Sequence, residues 1–392
     1  TTPYGIANAS QLLNITLKPN KHFELVQAIN MSSVDMAKQI NANGAIIANK
    51  FTGVLDGKDF SLFGMTNVDV SNSQVSNFAG ISLFRQLENA TIKNLNIAET
   101  DNNPTKFVNT FAQRQTNVLK SSLIAMDSTN ATLSNISVVN ATIQLAGNYA
   151  LLSNAYIAGL VGEAVNTTFE GCIVNLNVEV QADFVSTSGS VYVGGISAYA
   201  KGVKVASSES RATSVSLSVT QSNTNRRFKA IGGVAGYMSN NGSTTAEISN
   251  TTSTISQTTN IYADNFGGLV GDAINVNITG CTVLGAFNHT ALETTNLGGL
   301  VGQMQGGSID DCTIKLQFNL SISNSNKLYI GFVAGYVTSN NGTMASISNC
   351  KINQTFTNKT QFSSDYKSVE LMGIYGASSQ NNYNPTGCTQ ID

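Results

Sequence analysis

Few residues in this sequence have the types and spacing that catalysis requires. Cleavage of polysaccharides uses paired carboxylates, or a carboxylate-bound cation beside a basic residue. Asp310 and Asp311 are adjacent, and Asp56 lies three residues before Asp59. Both pairs lie among turn residues, so a tight turn explains them. The chain has only two histidines, and no nucleophile–base pair accompanies them. We therefore predict that the protein is not an enzyme.

A glycine-rich string raises the possibility of phosphate binding. Gly-Gly-Leu-Val-Gly occupies residues 267–271 and again 298–302. A phosphate-binding loop requires a Lys-Ser or Lys-Thr pair and a helix after it, and the sequence has neither at these places. Because the string recurs along the chain, we interpret it as structural.

The five cysteines are candidates for metal binding or disulfides. Each follows a turn residue in a repeated pattern, at a position where other copies have Leu95, Ile136 or Thr251. No cysteine pair has the spacing of a zinc site, and His22 and His289 lie outside the pattern. We predict a structural ladder of free, inward-facing thiols, with disulfides between neighbouring coils as the alternative, and no metal or other cofactor. The ladder comprises Cys172, Cys281, Cys312, Cys350 and Cys388.

An internal repeat positions these residues. The pattern small-Gly-apolar-x-small occurs clearly seven times and, in weaker form, twice more upstream, at intervals of 31 to 42 residues. Such a period is typical of solenoids, in which loop insertions on the outside change the spacing. The copies lie at residues 79–83, 121–125, 158–162, 194–198, 232–236, 267–271, 298–302, 331–335 and 372–376.

A second pattern follows each copy and contains a turn residue. Gly, Asn and Asp occupy this turn position, and these residues best tolerate a positive φ. We predict a left-handed bend in every coil, flanked by strands with one buried face. The structural turn residues are Asn94, Asn135, Gly171, Asn250, Gly280, Asp311, Asn349 and Gly387. The copy near Ser207-Ser208 lacks this form, so we expect an irregular coil between residues 194 and 230.

Composition indicates the same fold class. Gly is common, with 34 residues, Pro is rare, with 4, and only 11% of the residues are charged. We predict an all-β, parallel right-handed β-helix or β-solenoid with about nine stacked repeats. Residues 1–78 form a short, partly helical N-terminal cap and the first coils, and residues 79–392 form the repeats. Short helices are expected near residues 11–13 and 33–38.

The repeated Gly-Gly-Leu-Val-Gly, followed by an Ile-x-Asn-Cys turn, resembles the GLUG motif of bacterial and protist surface proteins. The segment Phe51–Gly57 resembles the Phe-Thr-Gly-x-x-Asp-Gly signature that precedes such repeats, and Ala90–Leu95 resembles their first turn. The resemblance covers nearly the whole chain. It implies a solenoid of secreted adhesins, or one beside the catalytic domains of surface peptidases, and it implies no catalytic residues.

Sixteen Asn-x-Ser/Thr sequons occur in the chain, a modest excess over chance. Asn241 and Asn341 precede glycines in similar Ser-Asn-Asn-Gly loops, and such Asn-Gly pairs form exposed turns. These two are the strongest candidates for N-linked glycans. Asn135 and Asn250 occupy bends, so full modification is not expected there. The other candidate sites are Asn14, Asn166, Asn288, Asn353 and Asn358.

These features favour an extracellular or cell-surface structural protein. The net charge of −2 gives no electrostatic case for nucleic acid, and we interpret the short basic cluster at residues 226–229 as a solvated loop. No apolar run is long enough for a membrane span, and the N-terminus resembles a mature or excised form. We expect a glycosylated filament subunit that assembles head to tail. An adhesin stalk that binds glycans or a host protein, and a polysaccharide-active enzyme, are the alternatives.

Overall fold

Parallel β-strands make up most of the chain, which confirms the all-β solenoid. The computed structural model describes residues 2–43, 45–47, 49–66, 68–71, 79–98, 105–111, 117–147, 153–182, 189–221, 228–256, 262–291, 295–322, 328–353, 355–357, 369–371, 375–378 and 385–390. The strands form three long sheets, and each coil contributes to them in turn.

Sheet 1 has 19 strands. They are Tyr4–Ile6, His22–Leu25, Val54–Asp56, Phe84–Glu88, Thr91–Lys93, Ala125–Thr129, Thr132–Ser134, Val161–Val165, Thr168–Glu170, Ser197–Lys201, Lys204–Ala206, Ala235–Ser239, Ala246–Ser249, Val270–Thr279, Val301–Asp310, Ala334–Asn340, Thr343–Met344, Ser346–Ser348 and Tyr375–Ser378.

Sheets 2 and 3 have 14 and 8 strands. Sheet 2 contains Ile29–Asn30, Ser61–Phe63, Val68–Ser71, Asn96–Ile97, Thr105–Phe111, Ser137–Gly147, Ile173–Ala182, Thr213–Gln221, Thr251–Ser256, Thr282–Ala291, Thr313–Ile322, Lys351–Ile352, Thr355–Thr357 and Thr389–Gln390. Sheet 3 contains Leu119–Ser122, Ala155–Ala158, Val191–Gly194, Phe228–Gly232, Ala263–Gly267, Thr295–Gly298, Leu328–Gly331 and Val369–Leu371.

One coil shows the path of the chain. The strand Ala155–Ala158 lies in sheet 3, the strands Val161–Val165 and Thr168–Glu170 lie in sheet 1, and Ile173–Ala182 lies in sheet 2. Each strand pairs in parallel with its counterparts in the neighbouring coils; for example, Phe169 lies between Leu133 and Val205. Equivalent side chains therefore stack in columns, about 4.8 Å apart.

The core is a continuous apolar column inside the coils. It extends from Ile6 to Ile352, and most of its members are 0–3% exposed. Val, Ile and Leu alternate with polar residues along the strands, so every second side chain enters this column. Each coil buries its apolar side chains against the next coil, which is why a single repeat cannot be stable alone.

Short helices adjoin the first strands. An α-helix spans Ala9–Leu13, a 3-10 helix spans Asn14–Leu17, and a second α-helix spans Met36–Asn43. The Asn8 side chain accepts a hydrogen bond from the backbone N–H of Gln11 and caps the first helix. Leu12 and Ile15 are fully buried in the common core. The partly helical N-terminal segment is thus packed onto the solenoid.

The coil near Ser207-Ser208 is irregular. Residues 207–212 form an excursion between the strands Lys204–Ala206 and Thr213–Gln221. Within it, the backbone N–H groups of Ser208 and Arg211 donate to each other's carbonyl oxygens. The Arg211 guanidinium also donates to the carbonyl oxygen of Asn135, two coils away, at 3.1 Å.

Among the described residues, no helix has the length and hydropathy needed to cross a bilayer.

Candidate functional site

The glycines of the repeat allow a sharp corner between sheets 3 and 1. A Cβ atom on the second glycine of a copy would meet a backbone carbonyl of the next coil: on Gly195 it would lie 2.3 Å from the oxygen of Gly233, and on Gly268 2.2 Å from that of Gly299. A Cβ on Gly236, the last residue of its copy, would lie 2.9 Å from the backbone nitrogen of Val193 in sheet 3. Side chains are excluded at these positions because backbones meet there.

Two columns of side chains face each other across this corner, and we call them the corner seam. The members of each coil are seven residues apart, on either side of the glycine motif. Sheet 3 contributes Lys120, Tyr156, Tyr192, Ala230, Asn265, Asn296 and Tyr329. Sheet 1 contributes Asp127, Glu163, Tyr199, Tyr237, Asp272, Gln303 and Tyr336. Seven coils make the seam about 29 Å long.

Four tyrosines form an aromatic array in the middle of the seam. The ring centroids of Tyr199 and Tyr237 are 4.4 Å apart and those of Tyr156 and Tyr199 are 5.0 Å apart, both pairs stacked. Tyr192 meets Tyr156 and Tyr199 edge to face, at 5.6 and 5.7 Å. Tyr156 is only 7% exposed and forms the base of the array, whereas the other three are half-buried. The stacked pairs cover ring faces inside the array, and Tyr192, Tyr199 and Tyr237 remain partly exposed.

Tyr156, Tyr192 and Tyr199 remain neutral. Burial raises the pKa of Tyr192 to about 12, and it also raises the pKa of Tyr199. Neighbouring tyrosine and acidic groups add smaller contributions in the same direction. The Tyr156 hydroxyl accepts a hydrogen bond from the Asn154 side chain at 3.2 Å, and its pKa is raised, chiefly by burial. The array therefore retains hydroxyl groups that both donate and accept hydrogen bonds.

A charged cluster lies at one end of the array. The Lys120 ammonium donates to the carboxylates of Asp127 and Glu163, the latter at 2.6 Å. Burial alone would lower the pKa of Lys120, but the two carboxylates raise it. The pKa of Asp127 is raised, mainly by burial. Lys120 therefore stays charged and is already paired inside the seam.

A polar cluster lies at the other end. The amide nitrogen of Asn296 donates to the Oδ1 atom of Asn265 at 2.7 Å and lies 3.5 Å from the Oε1 atom of Gln303. The Oδ1 atoms of Asp272 and of Asn296 are buried, and neither accepts a hydrogen bond from the described residues. Burial raises the pKa of Asp272 to about 6, although Lys229 opposes this. This end of the seam has an excess of hydrogen-bond acceptors.

The predicted turn residues form a stack at the bend that leads from sheet 1 to sheet 2. All eight have a positive φ, between 47 and 66°. The Asn94 side chain donates to Asp56 at 3.0 Å, and Asn135 donates to Asn94 at 3.2 Å. In the irregular coil, the Ser208 hydroxyl donates to Asn135 instead. The stack links neighbouring coils through amide side chains.

Sequence reasoning missed a second left-handed stack, in the middle of sheet 1. It comprises Asn89, Asn130, Asn166, Gly202, Asn275 and Gly306. The signal was the Asn or Gly of this stack, which lies five residues before five of the eight predicted turn residues and, in the irregular coil, five residues before Ser207. Together, the two stacks bend each coil twice without leaving the parallel register.

The five cysteines occupy the inner side of the bend. Cys172, Cys281, Cys312 and Cys350 are buried, Cys388 is half-buried, and all five are free thiols. Burial raises the pKa of Cys172 to about 12. The hydrogen bond with Cys281 raises the pKa of Cys312 to about 12 and lowers that of Cys281. Thr213 and Thr251 occupy the same column in the intervening coils.

The glycan candidates differ in exposure. Asn14 and Asn341 are exposed, whereas Asn166, Asn241, Asn288 and Asn353 are half-buried. The Asn241 amide nitrogen, to which a glycan would be attached, donates to Asn166 at 3.0 Å. Asn288 accepts a hydrogen bond from Asn319. Asn358 lies outside the described residues.

The two Asn-Gly loops are small hairpins with different frames. Asn341 and Gly342 are the central pair of a turn that connects Asn340 to Thr343. In the other loop, Asn241 pairs with Thr244, so Gly242 and Ser243 are the central pair. The similar sequences therefore expose their asparagines to different degrees.

The residues that were considered for catalysis have structural partners. Asp310 accepts hydrogen bonds from Ser348 and Asn349, which lower its pKa. Asp56 lies at the start of the turn stack; burial would raise its pKa, but bonds from Lys58, Asn94 and Lys93 lower it overall. Among the described residues, no group of three or more His, Cys, Asp or Glu side chains could hold a metal ion. Residues 226 and 227 of the basic cluster lie outside the described part.

No family model matches the chain, and no curated protein does. A crystal structure from Bacteroides ovatus, of a protein provisionally named an immunoglobulin A1 protease, aligns over 97% of this chain and 84% of that chain. The sequence identity is 15% and the TM-score is 0.36.

Proposed function

We propose that the chain is an extracellular, non-catalytic solenoid that binds an extended glycan along the corner seam. The tyrosine array is the observation that carries this proposal. In the sequence the four tyrosines are 81 residues apart from first to last, yet the stacking of the coils brings them into one part-exposed strip. Aromatic surfaces flanked by amide and carboxylate groups suit a ligand that is apolar on its faces and rich in hydroxyl groups at its edges.

The charge of the seam indicates the class of glycan. Among the fourteen seam residues, Lys120 is the only cationic side chain. Three seam residues have carboxyl groups, namely Asp127, Glu163 and Asp272. With all four ionised, the seam has a net charge of −2. An anionic polysaccharide would be repelled, so neutral or cationic glycans are favoured.

Isothermal titration calorimetry against a panel of oligosaccharides tests this function. The panel contains neutral cello-, xylo- and chito-hexamers, a glucosamine hexamer and an anionic galacturonate hexamer. We expect a neutral or cationic member to bind, and a Tyr199→Ala/Tyr237→Ala double variant to lose at least tenfold in affinity. Tyr4→Ala, which removes an exposed ring at the N-terminal end, is the control. The proposal fails if no glycan binds, or if the double variant folds and binds like the parent.

The same panel distinguishes binding from catalysis. Reducing ends and unsaturated products would be measured after prolonged incubation, and we expect neither to accumulate. Product formation would favour the alternative of a polysaccharide-active enzyme.

Head-to-tail assembly remains a separate prediction of the sequence analysis. Parallel strands offer backbone groups along a sheet edge for pairing with another chain. Negative-stain microscopy at increasing protein concentration tests it. Filaments with a repeat of one chain length would support assembly, and uniform monomers would exclude it.

A further inference from the structure

We infer that the Asp272 end of the corner seam is a recognition site for a primary ammonium group of the bound glycan, such as that of an amino sugar. This inference rests on the proposed function and names the ligand chemistry at one end of the same site. Asp272, Asn296, Gln303 and Tyr237 carry it.

The first argument is the imbalance between donors and acceptors. The Oδ1 atom of Asp272 and that of Asn296 are buried without a donor among the described residues, and Asn296 as a whole is only 9% exposed. A buried acceptor without a donor destabilises the folded chain. An ammonium group has three donors and no acceptor, so it complements this cluster better than a hydroxyl group does.

The second argument is the position of the cluster beside the array. Tyr199 stacks on one face of Tyr237, and Asp272 is the neighbour of Tyr237 in the next coil, in register. The other face of the Tyr237 ring is therefore directed toward the coil that carries the carboxylate. A cation between a tyrosine ring and a carboxylate gains from both groups.

Lys201, Lys229 and Lys120 each have another partner, and Lys201 lies over the Tyr199 ring, 5.1 Å from its centroid. The ammonium of Lys229 lies 3.3 Å from the carboxylate of Asp264, and its influence on Asp272 is electrostatic only. Lys120 is engaged by Asp127 and Glu163 at the far end of the seam. Ala230, which lies across the corner from Tyr237, has the smallest side chain in the seam.

The test compares a glucosamine hexamer with its fully N-acetylated counterpart, which has the same backbone without the charge. Calorimetry on the full chain should show at least tenfold tighter binding of the amine. Asp272→Asn should abolish this difference by weakening the binding of the glucosamine hexamer. Glu247→Gln removes a carboxylate from sheet 1 outside the seam, where Glu247 pairs with Lys204, and should preserve the difference.

Equal binding of both hexamers, or an Asp272→Asn variant that retains the preference, would overturn the inference while the proposed function stands. Preference for an oligolysine peptide over the glucosamine hexamer would overturn it too, because the ammonium would then belong to a peptide. If neither hexamer binds and no other glycan of the panel does, the proposed function itself fails.

Discussion

Both asparagine and glycine occur in the left-handed stacks, and each glycine accommodates an asparagine side chain of a neighbouring coil. A Cβ on Gly280 would lie 2.6 Å from the Oδ1 atom of Asn250, and a Cβ on Gly387 would lie 2.5 Å from that of Asn349. Positive φ alone would permit Asn at these places. The choice of Gly therefore reflects the neighbouring coil as well as the local backbone.

Gly280→Ala and Gly242→Ala separate these two causes. Their φ values are similar, +64 and +59°, but nothing lies within 4 Å of a Cβ on Gly242. We expect about 1 kcal/mol of destabilisation for Gly242→Ala from backbone strain, and about 1–3 kcal/mol more for Gly280→Ala. Urea unfolding of both variants measures the difference. Equal losses would mean that the stack does not crowd Gly280.

The raised pKa of Asp272 makes the free energy of unfolding depend on pH. Its pKa is raised from 3.8 to about 6 by burial, so the folded chain holds this proton more tightly than the unfolded chain does. The stabilisation is present below pH 4 and is lost as the pH rises to 6 and above. Asp272→Asn should therefore be more stable than the parent at pH 7.5, by about 3 kcal/mol, and nearly equal in stability at pH 4.

Urea unfolding at both pH values measures this effect. Asp310→Asn is a useful comparison because the pKa of Asp310 is lowered, so its change should not stabilise the chain at pH 7.5. A stability difference for Asp272→Asn that does not vary with pH would contradict the assignment of the raised pKa to Asp272.

Strands and bends were predictable because their requirements are local. Each bend needs a residue that accepts a positive φ, and the sequence shows Asn, Gly or Asp there in eight copies. The excursion at residues 207–212 was visible as a break in that pattern, but not the contact of Arg211 with Asn135, which depends on a coil 76 residues away. Which residues form the centre of each Asn-Gly hairpin could not be predicted either. A change of one residue in the strand pairing moves the turn, and the two loops have the same Ser-Asn-Asn-Gly sequence.

The cysteine column makes a prediction about reactivity. Thiolate is the reactive form, and burial keeps Cys172 protonated, with a pKa of about 12. Cys388 is the half-buried member. Iodoacetamide applied to the native protein at pH 8 should therefore modify Cys388 well before Cys172, as followed by peptide mass spectrometry. Rapid labelling of Cys172, with the fold intact, would show that the column is not enclosed.

The corner seam belongs to the stacked molecule and has no signature in a single repeat. Its paired positions are always seven residues apart, but their types change from Lys120–Asp127 through Tyr192–Tyr199 to Asn296–Gln303. Composition showed twelve scattered tyrosines, and only the register of the sheets brings four of them together. The two columns lie at fixed distances before and after the glycine motif. They could have been identified from the sequence if it had been known that the chain turns a corner between sheets 3 and 1 at this motif.

The central claim, that the seam binds a glycan, can be tested most directly by NMR of ¹³C-labelled tyrosine rings. The chain has twelve tyrosines and no tryptophan, so the aromatic spectrum is sparse and can be assigned by single Tyr→Phe variants. On titration with the tightest-binding oligosaccharide of the panel, the resonances of Tyr192, Tyr199 and Tyr237 should shift together, while those of Tyr4 and Tyr262 stay in place. Saturable shifts at Tyr4 or Tyr262, with the seam tyrosines unchanged, would contradict the account.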